Sequence, residues 1–128
     1  MFTHVMVGSN DIAKATQFYD ATFGALGVAK AMGDDKRAFY RGSNAAFGVV
    51  TPADGAPACH ANGGTIGLGA PSKDVVDAWH AAGIANGGVD EGAPGVRENS
   101  PGAMYGAYLR DPDGNKLCVF APNPGTAA

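Results

Sequence analysis

The order strand, helix, strands occurs twice along this chain, and that repeat constrains the fold more than any single motif. Residues 2–8, Phe-Thr-His-Val-Met-Val-Gly, read as a strand. Ser9 and Asn10 offer a helix N-cap, and Asp11 suits the positive end of the helix dipole. Ile12, Ala15, Tyr19, Phe23 and Leu26 recur at helical spacing, and Gly24 and Gly27 end that helix. Short strands follow: a weak one near 28–33, then 36–41 and 45–51, the last two joined by a turn at Ser43-Asn44. The second round opens with a strand at 64–70. Pro71-Ser72 leads into a helix carrying Val75, Val76, Trp79 and Ala82, which Gly83 ends. The stretch from Gly87 to Gly102 is rich in glycine and proline and has room for one short strand. Met104–Arg110 and Asn115–Ala121 form a hairpin across Asp111-Pro112-Asp113-Gly114. Proline fits the first corner of that turn, and glycine accepts the positive φ at its end.

The chain thus divides into module 1 at about 1–52, a linker at 53–63, module 2 at about 64–121 and a tail at 122–128 that is expected to be mobile. Its 128 residues suffice for one compact domain with a core, and not for two independent ones. The net charge is −3 and the nine Lys and Arg residues are scattered, so no basic track invites nucleic acid. No apolar run approaches the roughly 20 residues that span a bilayer. The opening residues enter a strand at once, which leaves no room for a secretion signal. Cys59 and Cys118 form neither a short metal spacing nor a disulfide framework. A cytoplasmic chain with free thiols is the expectation.

Several of the 20 glycines fall in or beside strands, among them Gly48, Gly67, Gly69 and Gly106. Glycine inside a strand often marks a place where something else approaches the backbone. This predicts a cavity. No Ser-His-Asp arrangement, phosphate-binding loop or dinucleotide fingerprint is present.

His4-Val5-Met6-Val7, Asp11-Ile12 and Phe18-Tyr19 resemble the opening of vicinal oxygen chelate proteins, the glyoxalase/bleomycin resistance/dioxygenase group. Asp111-Pro112-Asp113-Gly114-Asn115-Lys116-Leu117 looks like their closing hairpin, and Gly88–Val96 is similar to small bacterial members. The resemblance covers nearly the whole chain. It implies an α+β fold: two βαβββ modules forming a curved, incomplete barrel, with helices outside and a small-molecule cup within. It also implies a homodimer. In metal-dependent members, four strands each supply one ligand. Carried across, those positions fall on His4, Gly48, Thr65 and Cys118. Only His4 is an ordinary ligand of the group. A divalent metal is therefore not expected as a cofactor unless a further residue, such as His60, joins.

Strand alternation tests this register independently. With His4 inward, Val5 and Val7 face the helices; with Gly48 inward, Phe47 and Val49 do so. With Thr65 and Cys118 inward, Ile66, Leu68, Leu117 and Val119 take the helix side. All four strands then present an aliphatic face and a small-residue face. A slip of one residue would invert them all.

The expected cavity wall comprises His4, Met6, Gly48, Thr65, Tyr108, Arg110 and Cys118. His4 is the candidate catalytic base or hydrogen-bond donor. Cys118 is expected to be an inert buried thiol, since no base adjoins it in sequence. Tyr108 and Arg110 share a face, Tyr105 falls on the other, and Arg97 lies in a loop that covers such cups. Tyr40 and Arg37 are further wall candidates, and His80 belongs to a helix end. Two functions follow: a glyoxalase-like lyase acting on a small metabolite, or a metal-independent binding or sequestering protein of the bleomycin-resistance kind. A metal-dependent dioxygenase is not expected.

Overall fold

The computed structural model describes residues 1–123. The tail beyond Asn123 lies outside the described residues. Ten elements follow in order: β1 (His4–Gly8), α1 (Ile12–Ala25), β2 (Lys30–Gly33), β3 (Arg37–Arg41), β4 (Ala46–Val50), β5 (Ile66–Gly69), α2 (Lys73–Ala85), β6 (Val89–Val96), β7 (Tyr105–Arg110) and β8 (Lys116–Ala121). They form two four-stranded sheets of identical plan, β1-β4-β3-β2 and β5-β8-β7-β6. In each, the first strand runs parallel to the last and the remaining pairs are antiparallel. Neither sheet closes, so the molecule is the expected α+β pair of βαβββ modules in a curved, incomplete barrel.

Alternation explains where the core sits. Val49, Ala38, Ala107, Leu109, Leu117 and Val119 are fully buried on the helix side of their strands. Val5, Val7, Ile66 and Leu68 pack against the same cluster from β1 and β5. Helix α1 adds Ile12, Ala15, Phe18, Tyr19, Thr22 and Phe23, and α2 adds Val76 and Trp79. Phe18 reaches past its own sheet to Gly83 of α2 and Gly88 ahead of β6. One core therefore serves both modules.

The helix ends differ from expectation in three places, the first being Gly24, which lies inside α1 and leaves the stop to Gly27 beyond the Leu26 cap. Asp11 itself is the cap of α1, accepting from the Lys14 N–H at 3.1 Å, while the Ser9 hydroxyl accepts from the Asp11 N–H. An aspartate cap satisfies an orphan donor and meets the dipole at once. Gly83 does not end α2, which runs on to Ala85. A Cβ there would collide with Leu109 Cδ1 and stand 3.2 Å from Phe18, so this glycine serves close packing. The chain leaves the helix at Gly87, whose φ is +94°. The Ser72 cap of α2 and the positive φ of Gly27 and Gly114 match the sequence reading.

Strand β6 is longer than the glycine and proline content suggested, at eight residues. Two register irregularities against β7 let Pro94 and the glycines sit in it. Bulges are the usual way an edge strand tolerates such residues. Strand β5 is shorter than expected and begins at Ile66, so Thr65 stands just ahead of it.

Candidate functional site

The concave faces of the two sheets carry the residues that alternation turned away from the core. On the first sheet, Ala46 lies between His4 and Arg41, Gly48 between Met6 and Phe39, and Val50 between Gly8 and Arg37. On the second, Lys116 lies beside Arg110, Cys118 between Gly67 and Tyr108, and Phe120 between Gly69 and Gly106. The two sheets match row for row: Gly48 and Phe39 stand where Cys118 and Tyr108 stand. Met6, Thr65 and Lys116 line a cavity of about 300 Å³ where β1 meets the start of β5. The structure thus brings Met6 and Thr65 together across the modules. It also sets Tyr108, Arg110 and Cys118 on neighbouring strands.

The glycines of this face do not leave empty space. A Cβ at Gly48 would stand 2.5 Å from the Met6 Sδ and 2.7 Å from the Phe39 ring. At Gly106 it would meet the Phe120 ring at 2.6 Å, and at Gly92 the Tyr108 ring and the Arg97 guanidinium, both at 3.1 Å. The Cys118 thiol lies 3.4 Å from the same point on Gly67. What approaches the glycines is the chain's own long side chains, lying flat across the sheet. Gly69 alone of this group has nothing within 4 Å.

The second sheet carries most of the polar chemistry. The Tyr108 ring has Lys116 Nζ 5.3 Å from its centroid and the Arg97 guanidinium at 5.7 Å, with Phe120 edge-on at 5.8 Å. Arg97 also donates to the Ala93 carbonyl. Arg110 donates to Glu91 at 3.1 Å and to the Gly114 carbonyl at 2.9 Å. Burial pushes the Cys118 thiol up from its ordinary range, and Lys116 pulls it back in part. Burial is the larger influence, so Cys118 stays a thiol near neutral pH.

On the first sheet His4 is exposed and shares a 2.9 Å hydrogen bond between Nδ1 and the Thr3 hydroxyl. Among the described residues its ring has no carboxylate partner to orient it as a base. Tyr40 was a wall candidate and stands off the concave face. It faces the helices, stacks on Phe23 at 4.8 Å and donates to Asp20 at 2.8 Å. Tyr105 points outward as expected, to Asp77 of α2. His80 meets Asp90 at 2.8 Å on the outer surface, and exposed His60 lies beside Gly114, so neither reaches the concave face. Sequence reading missed Phe39 and Phe120 as wall residues. Their signal was available, since each is one residue out of phase with a buried aliphatic neighbour.

Comparison with known proteins decides the family. A model described as "Glyoxalase/Bleomycin resistance protein/Dioxygenase superfamily" matches residues 1–119. The chain belongs to this superfamily. A solved glyoxalase/bleomycin resistance protein from Albidiferax ferrireducens T118 shares 51% identity over 94% of this chain and 98% of its own, with a TM-score of 0.90. A glyoxalase-related enzyme from Fulvimarina pelagi is 18% identical over 95% of this chain and 87% of its own, with a TM-score of 0.75. A lactoylglutathione lyase from Agrobacterium tumefaciens is 21% identical over 93% of this chain and 91% of its own, with a TM-score of 0.65. The latter two likenesses concern the fold alone. The comparison with curated proteins gave no match.

Superfamily membership raises the question of a metal, and the residues present do not fit one. Gly48 brings no donor, and the room above it is taken by Met6 and Phe39. Thr65 is exposed and offers a neutral hydroxyl, a weak donor for a divalent ion. Cys118 is buried and brings a single soft donor. His4 remains as a single ordinary donor, whereas a zinc site takes three or four. Among the described residues, no three His, Cys, Asp or Glu side chains cluster in a way that could hold an ion.

Proposed function

We propose that this superfamily member binds a small molecule on its concave face without a metal, in the manner of a binding or sequestering protein. The observation that carries this reading is the packing of Met6 and Phe39 over Gly48, where a metal-dependent relative would need a donor. A thioether and a ring at that point make a wall for an apolar group. Met6, Thr65 and Lys116 around one cavity supply both apolar surface and polar handles. The name of the Albidiferax relative, 51% identical, is compatible with this role.

A lyase reading rests on His4, which faces the concave side but has only Thr3 to hold its ring. The binding reading needs less of the site and is preferred. We further propose that two copies associate. Met32, Val89 and Val96 are exposed on β2 and β6, the strands at the outer edges of the sheets. No helix among the described residues is long and apolar enough to cross a membrane, and both cysteines are free, which suits the cytoplasm.

Elemental analysis and titration with nickel, zinc and manganese test the metal-free reading. No stoichiometric binding is expected, and small-molecule ligands are expected to raise Tm in the presence of a chelator. One tightly bound ion per chain, lost in His4→Ala, would overturn it.

A further inference from the structure

Five of the nine Lys and Arg residues gather on one face of this molecule. The chain is acidic, with 12 Asp and Glu against nine Lys and Arg. Yet Arg37, Arg41, Arg97, Arg110 and Lys116 all belong to the concave side, by strand alternation or, for Arg97, by its contact with Tyr108. Asp11, Asp20, Asp74 and Asp77 lie on the helices of the opposite side. Two of the five concave cations have carboxylate partners: Arg110 with Glu91 at 3.1 Å, and Arg37 with Asp34 at 3.9 Å. Among the described residues, Arg41, Arg97 and Lys116 have none within 4.0 Å.

Arg97 and Lys116 differ from free surface cations in how they are held. Both rest on the Tyr108 ring, and Arg97 is anchored again by the Ala93 carbonyl. A ring face holds a cation in place without cancelling its charge. Two cations with no bonded carboxylate therefore border one aromatic ring, Asp90 acting on Arg97 only through space. Lys116 also lines the open cavity it shares with Met6 and Thr65, so the charge borders a recess with apolar surface. Cations beside apolar surface match a ligand with an anionic end and an apolar body.

We propose that the concave face takes an organic carboxylate, its anion held by Lys116 and Arg97 beside Tyr108 and its apolar part laid on Met6 and Phe120. This assignment rests on the reading of the concave face as the ligand site. It adds the class of ligand. A carboxylate supplies the counter-charge that this pair of cations lacks, and the Thr65 hydroxyl at the cavity edge adds a donor beside Lys116. Glu91 is already engaged by Arg110 and opposes an anion least where that bond holds it.

The test uses two fluorescent probes of like shape, 8-anilinonaphthalene-1-sulfonate and the uncharged N-phenyl-1-naphthylamine, with benzoate and inorganic phosphate as competitors. Lys116→Met and Arg97→Met keep an apolar stem and remove charge. Each is expected to weaken the anionic probe about tenfold, the scale of one charged hydrogen bond, and the neutral probe less than about twofold. Benzoate is expected to displace the anionic probe more strongly than phosphate. Lys14→Met, on α1, is expected to change neither probe. Equal loss of both probes in the charge variants, or displacement by phosphate equal to that by benzoate, would overturn the carboxylate assignment. Thr65→Trp places a ring at the cavity edge on an exposed residue, so the fold is spared. If it and both charge variants leave both probes unchanged, the probes bind elsewhere and the concave site itself fails.

Discussion

Tyr19 on α1 donates to Asp111 at the start of the closing turn, 2.5 Å away across 92 residues of sequence. Asp111 also accepts from the Asn115 side chain at 2.9 Å, and Asn115 in turn donates to the carbonyl of Gly8 at the end of β1. Asn10 completes the junction by donating its N–H to Asp113 at 2.8 Å. The two modules are thus stitched together where the first strand ends and the last hairpin turns.

Tyr19→Phe removes the donor and leaves one Asp111 oxygen with Asn115 alone. Leaving a buried charged acceptor short of a partner costs about 1–3 kcal/mol. Urea unfolding is expected to show a lower midpoint at unchanged slope. A midpoint equal to that of the parent would show that the bond contributes nothing.

Burial holds the Asp111 carboxyl above the usual carboxylate range, against the lowering effect of its hydrogen bonds from Tyr19 and Asn115. The folded state therefore binds this proton more tightly than the unfolded chain does. The contribution of Asp111 to stability is greatest below the ordinary carboxylate pKa. It declines as pH rises through the folded-state value and is flat above it. Asp111→Asn removes this titration. The stability gap between parent and variant, measured by urea unfolding across acid pH, is expected to shrink as pH rises and then level off.

Gly24 and Gly83 both lie inside helices and are expected to respond oppositely to alanine. A Cβ at Gly24 meets nothing within 4 Å, so Gly24→Ala is expected to gain about 0.5–1 kcal/mol from reduced backbone freedom. At Gly83 the same methyl collides with Leu109 and crowds Phe18, both fully buried. Overpacking of this kind costs about 1–3 kcal/mol, which outweighs the helical gain. Thermal unfolding of the two variants checks the difference in sign.

Thiol titration with a disulfide reagent is expected to show one fast and one slow cysteine. Cys59 is exposed, whereas Cys118 is buried and its thiol is shifted upward by that burial. Cys59→Ser is expected to abolish the fast phase. Two fast thiols in the native protein would contradict the placement of Cys118.

The fold was legible because its signals are local and repeated. Phe47, Val49, Leu117 and Val119 alternate with small residues, and the Asp111–Gly114 turn needs its glycine, with φ at +87°. Where reading by residue type failed, packing between elements had decided. Gly83 looks like a helix stop until Leu109 and Phe18 are seen against it. Tyr40 looks like a polar wall residue until its strand phase, shared with Ala38, is followed to the core. The bulges that hold β6 together leave no pattern in a single sequence. The concave residues were found by phase, but their relations were not. That Met6 covers Gly48, or that Tyr108 seats two cations, depends on rotamers that no spacing encodes.

The rings and thioether that lie across glycine on the concave face have a geometric consequence. A side chain above a bare backbone can lie lower than one that must clear a Cβ. Met6 above Gly48 and Phe120 above Gly106 sit closer to the sheet than any side chain there would allow. The depth of this face is therefore set by its glycines, and Gly48→Ala or Gly106→Ala would make it shallower by lifting the group that lies on it.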